Sequence, residues 1–124
     1  MELKHDCVRD LLLTLESDLK INQMLDISEI LTLPEMSKYT RDDVEYTINK
    51  LNEAGFIEIA TFMGGGIAVL DITYNGHQFL DNVRSAGIWA ETKERLAKVG
   101  GAASLNIIST LATSLVNAKL GLTE

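Results

Sequence analysis

The chain is 124 residues long, with 46% hydrophobic and 23% charged residues. That is ordinary usage for one globular domain, and it excludes collagen, low-complexity disorder and a multi-span membrane protein. A single cysteine, Cys7, excludes an intramolecular disulfide and a cysteine-rich zinc module, and the net charge of −7 disfavours non-specific attraction to nucleic acid or anionic lipid.

The first residues are charged, and the apolar run Leu11, Leu12, Leu13 is too short for the core of a signal peptide. A reduced, cytoplasmic protein is therefore expected. Val8, Leu11, Leu12, Leu15 and Leu19 recur at helical spacing, with Asp6, Arg9, Asp10, Glu16 and Lys20 largely opposite. This pattern predicts an amphipathic helix over residues 3–18. Residues 21–36 are ambiguous. Leu25, Ile27, Leu31 and Leu33 alternate as in a strand, Ile30 breaks the alternation, and Thr32-Leu33-Pro34-Glu35 suits a helix start. The reading is a short strand followed by one helical turn.

Thr40 suits an N-cap, Asp43 favours the positive end of the helix dipole, and Gly55 supplies a left-handed stop. With Val44, Thr47, Ile48 and Leu51 on one stripe, residues 40–54 form a helix. Residues 56–62 and 67–72 are rich in β-formers and flank Gly64-Gly65-Gly66, the pattern of a hairpin. Thr73 then caps a helix carrying Phe79, Leu80 and Val83. Ala86-Gly87 marks a break, residues 88–99 form another helix, and residues 103–120 form the last.

This order predicts an α+β, mainly helical fold: a winged helix-turn-helix-like core with a β-hairpin wing, plus C-terminal helices. Residues 1–86 make the winged part and residues 87–124 a helical extension of the same compact unit. Asp6 to Leu13, Tyr39-Thr40, Lys50 to Gly55, the string Ile72-Thr73-Tyr74-Asn75-Gly76-His77-Gln78-Phe79-Leu80-Asp81-Asn82-Val83-Arg84, Trp89 and Lys98 to Ala102 resemble the bacterial and prophage family known as domain of unknown function 2513. The resemblance covers nearly the whole chain. It implies a winged-helix-like fold, and it brings neither an activity nor functional residues to transfer. A regulatory role would rest on fold analogy alone.

A duplex binder needs cations over phosphates and side chains that reach base edges. On the helix over 40–54, Arg41 and Lys50 face Asp42, Asp43, Glu45 and Glu53, and the first turn that would enter the groove is acidic. Residues 51–83 contain no Lys or Arg, and three glycines at the wing tip bring no side chain to a minor groove. Arg41, Tyr46, Asn49 and Lys50 are the candidate nucleic-acid or partner contacts, and the acidic wing weighs against DNA. The one basic stretch, residues 84–98, pairs Glu91 with Arg95 and Glu94 with Lys98 at i,i+4, as on an ordinary exposed helix.

Residues 99–118 hold no charge but seven Ser, Thr and Asn, which oppose membrane insertion. Ile108, Leu111, Leu115, Ala118 and Leu122 recur at 3-4 spacing, a seam for another helix. These five residues are the expected interface of a homo-oligomer, a dimer first of all. His5, Cys7 and His77 are too scattered for a metal centre, no nucleophile elbow or P-loop is present, and neither catalytic residue nor cofactor is expected. The sequence therefore predicts a non-enzymatic module acting by macromolecular contact. The alternatives are a DNA-binding regulator using the 40–54 helix and, more weakly, membrane association through the last helix.

Overall fold

The computed structural model describes residues 2–98 and 104–121, in six helices and three strands. In chain order these are α1 (His5–Asp18), β1 (Leu25–Asp26), α2 (Ile27–Ile30), α3 (Arg41–Glu53), β2 (Ile57–Thr61), β3 (Ile67–Ile72), α4 (Tyr74–Val83), α5 (Ala86–Ala97) and α6 (Leu105–Lys119). The fold is α+β and mainly helical, and its contacts gather into two units that divide between His77 and Gln78.

In the first unit the strands form one antiparallel sheet in the order β1-β3-β2. Helix α1 packs on α3 and β3, and α3 packs on β2. The leucine stripe of α1 is spent on this core: Leu11, Leu12 and Leu15 are wholly buried, as are Val44, Ile48 and Leu51 of α3. Each such side chain contributes about 1.5–3 kcal/mol of hydrophobic stabilisation. Hairpin register is continuous from Thr61↔Ile67 to Ile59↔Val69, then a β-bulge falls between Glu58 and Ile59.

The ambiguous stretch resolves by pairing and capping. Only Leu25 and Asp26 find a strand partner, in Val69 and Ala68. The Asp26 carboxylate then accepts the Ser28 N–H at 2.8 Å and turns Ile27–Ile30 into a helical turn. The strand and the turn occur in the expected order, but the helical turn stands at 27–30 rather than at Thr32–Glu35, and residues 31–39 form successive turns. This turn segment is fastened to α1 by Tyr39, whose hydroxyl donates to Asp10 at 2.6 Å, and by Lys38, 3.1 Å from the same carboxylate oxygen. Partial burial and the neighbouring Asp10 carboxylate push the Tyr39 hydroxyl well above its ordinary pKa.

In the second unit α5 and α6 pack on one another. Ile88, Trp89 and Leu96 of α5 and Ile108, Ala112 and Leu115 of α6 are buried, and Asn82 of α4 donates to Thr113 of α6 at 2.9 Å. The break expected at Ala86-Gly87 lies one residue earlier. Ser85 caps α5 by accepting the Ile88 N–H, so both residues stand in its first turn. No helix among the described residues is long and apolar enough to cross a membrane.

Candidate interaction face

Helix α3 is held by a complete capping box. The Thr40 hydroxyl accepts the Asp43 N–H at 3.1 Å, and the Asp43 carboxylate accepts the Thr40 N–H at 3.2 Å. Lys4, at the start of α1, donates to the same carboxylate at 3.1 Å. Lys4 and then the Thr40 N–H hold the Asp43 carboxyl below its ordinary range. This clamp fixes the rotation of α3. Val44, Thr47, Ile48 and Leu51 are buried, and Arg41, Asp42, Asn52 and Glu53 are exposed.

The structure divides the four candidate contacts on this helix. Arg41 lies 3.5 Å from Glu45, one turn on. Lys50 lies 3.3 Å from Glu53 and 5.4 Å from the centre of the Tyr46 ring, which joins Tyr46 and Lys50 in one cluster. Asn49 is half-buried and falls on the line of Arg41 and Glu45. Both cations of α3 are therefore neutralised by carboxylates of the same helix. Exposed pairs of this kind contribute only about 0–1 kcal/mol and open readily. Opening them, however, leaves Glu45 and Glu53 beside any phosphate that replaced them.

The hairpin adds a feature that glycine counting missed. Gly64 and Gly65 both have φ of +90°, the left-handed region that a side chain disfavours. The turn closes when the Phe62 N–H donates to the Gly66 carbonyl at 2.8 Å. This geometry turns Phe62 and Met63 outward, 48% and 102% exposed. The tip is thus not bare, as its glycines suggest; it carries two large apolar side chains. Along the strands Glu58 and Asp71 are exposed. A β-prone run ending in Phe-Met before three glycines was the signal available for this.

The segment from Thr73 to His77 is a fastening. Thr73 donates its hydroxyl to the Gly55 carbonyl and its N–H to the Phe56 carbonyl, and its hydroxyl oxygen accepts the Gly76 N–H at 3.1 Å. Gly76 lies so near the end of α3 that a Cβ there would stand 2.1 Å from the Phe56 oxygen. His77 is exposed. Cys7 is buried, its thiol accepts a 3.4 Å hydrogen bond from Thr47, and burial raises its pKa. Among the described residues no group of three His, Cys, Asp or Glu is placed to hold a metal ion.

The helical seam of α6 is split. Ile108 and Leu115 are buried within the chain, so they have no surface to give a partner, contrary to their assignment as interface. Leu111 is half-buried, Ala118 is exposed, and Leu122 lies outside the described residues. The expected Glu91–Arg95 pair forms at 3.8 Å, whereas Glu94 and Lys98 form no ion pair among the described residues.

Charge is distributed unevenly. Up to His77 there are six basic and fourteen acidic residues, a net of −8; from Gln78 onward there are five and four, a net of +1. Compared with known proteins, the chain matches the model of a family described as hypothetical protein (DUF2513), over residues 2–103. No curated protein and no solved structure matches it.

Proposed function

Because the chain belongs to the DUF2513 family, a description that names no activity, we propose its function from its surface: a cytoplasmic, non-enzymatic winged-helix-like module of bacterial or prophage origin. It self-associates and presents the acidic face of α3 and the apolar hairpin tip to a basic protein partner. The element order α1-β1-α2-α3-β2-β3, with sheet order β1-β3-β2, supports the winged-helix reading. The observation that carries the partner is the pairing of an uncharged tip, Phe62 and Met63, with a helix whose only cations are tied to Glu45 and Glu53. Exposed aromatic and Met side chains serve protein interfaces, and a net of −8 draws cationic partners.

Fluorescence anisotropy at low salt tests this reading, with a labelled lysine- and arginine-rich peptide in one arm and a labelled random duplex in the other. The peptide binds and the duplex does not. Replacing Phe62 and Met63 by Ser weakens peptide binding without changing Tm, since neither side chain is buried. A duplex complex whose affinity falls steeply with salt refutes the proposal.

A second reading has one observation in its favour, the same winged-helix element order. In it the protein is a DNA-binding regulator whose α3 reads bases through Arg41, Tyr46, Asn49 and Lys50. Arg41→Ala and Lys50→Ala then lower duplex affinity by roughly tenfold or more each. Unchanged affinity in both variants removes it.

A further inference from the structure

Helix α6 carries no charged residue from Leu105 to Ala118, yet one side of it is open. Ile107 is 55% exposed, and Leu111 and Ser114 follow it on the same side. Beside them Glu91, Glu94 and Arg95 of α5 and Lys98 at its C-cap form a single stripe, and a groove of about 1030 Å³ lies between the two rows. We propose that this groove is a two-fold interface with a second copy of the chain. The proposal rests on the self-associating reading above and assigns it a surface.

Charge selects the occupant. The α5 stripe is acidic at its first two positions, Glu91 and Glu94, and basic at its last two, Arg95 and Lys98. A stripe that is acidic at one end and basic at the other complements itself when turned end for end. With the two-fold axis crossing the groove at its middle, the acidic end of each copy meets the basic end of the other. Leu111 sits near the axis, and Ile107 of each copy meets the small Ser114 of the other. The parallel arrangement sets like charges together and is disfavoured. Glu94 and Lys98, without an ion pair among the described residues, are free to join such contacts. The contrast of −8 and +1 acts in the same direction, because two copies repel far less at their second units than at their first. An isologous contact of this kind closes at two copies.

Sedimentation equilibrium on the full chain at about 100 μM, enough to populate a dimer with a Kd of about 10 μM, reads the mass of two chains. Ile107→Glu raises the dimer Kd by at least ~100-fold and leaves the thermal melt of the monomer unchanged. Two charge variants give a readout that misfolding cannot imitate. Glu91→Lys with Glu94→Lys, and Arg95→Glu with Lys98→Glu, are each monomeric alone and form a one-to-one heterodimer when mixed. A wild-type monomer overturns this interface and self-association together. A wild-type dimer that survives Ile107→Glu and both charge variants overturns this interface alone.

Discussion

Gly76→Ala is a test in which the usual rule gives the wrong sign. Gly76 lies in the first turn of α4, where Ala ordinarily stabilises a helix by roughly 0.5–1 kcal/mol. Here the added Cβ would stand 2.1 Å from the Phe56 carbonyl oxygen, 2.9 Å from the Phe56 carbonyl carbon and 2.9 Å from Ile72 Cγ2. Two of those atoms are backbone, so no rotamer change relieves the clash. The helix start must move away from the α3–β2 junction by on the order of 1 Å. Overpacking of this severity costs about 3 kcal/mol. Displacement also stretches the two hydrogen bonds from Thr73 to Gly55 and Phe56, worth about 1 kcal/mol each. Allowing for the helix gain and for partial relaxation, the net loss is about 2–4 kcal/mol, or roughly 10 °C in Tm. Thermal unfolding followed by circular dichroism measures it. Gly87→Ala is the matched control, a first-turn glycine of α5 whose Cβ would meet only Ser85 Oγ at 3.7 Å. That variant is neutral or slightly stabilised. If Gly76→Ala melts at or above the wild-type temperature, the close approach is not what fastens α4.

The core and the shifted groups give three more expectations. Leu51→Ala removes a wholly buried side chain and lowers the urea-unfolding free energy by about 2–5 kcal/mol; a loss under ~1 kcal/mol would show that this part of the core collapses freely. Asp43 has a folded pKa below its unfolded one, so its contribution is present above pH ~4 and disappears as pH falls through the lowered value. The stability gap between wild type and Asp43→Ala is therefore full at pH ~7 and closes in acid, and a gap that does not change with pH contradicts the Lys4–Asp43 clamp. Cys7, buried and with a raised pKa, resists a thiol reagent until the chain unfolds. Rapid modification at neutral pH in native protein would place the thiol elsewhere.

Local chemistry made much of the fold legible. The leucine spacing of α1, Thr40 with Asp43, and Gly55 after α3 each act within a few residues, and the structure keeps all three. The features that escaped the sequence depend on distant partners. Leu25 is a strand residue and Ile27 is not, because only the former pairs with a residue of β3 and because Asp26 caps the helical turn beginning at Ile27. The alternation of apolar residues extends through both and cannot divide them. Tyr39 on Asp10 and Lys4 on Asp43 join residues 29 and 39 positions apart, beyond any periodicity. At the candidate face, Arg41, Tyr46, Asn49 and Lys50 were readable as residues of one helix, but not their division into two groups around its surface. Their neutralisation by Glu45 and Glu53 was readable only in part, as a count of charges. The α6 seam shows the limit most plainly. Periodicity finds an apolar stripe but not which neighbour covers it, and Ile108 and Leu115 turned inward while Ile107 stayed outside.

The bulge at Glu58 and Ile59 has a bearing on how the protein behaves in concentrated solution. Strand β2 is an outer margin of the sheet and exposes main-chain donors and acceptors that would otherwise invite a foreign strand. Its pairing falls out of step at that point, where Leu70 of β3 is left without a partner on β2, and Glu58 brings a carboxylate to the rim. A stacked copy would have to bury that carboxylate, which disfavours fibre growth from this margin even though the strand itself is mostly Ile and Ala.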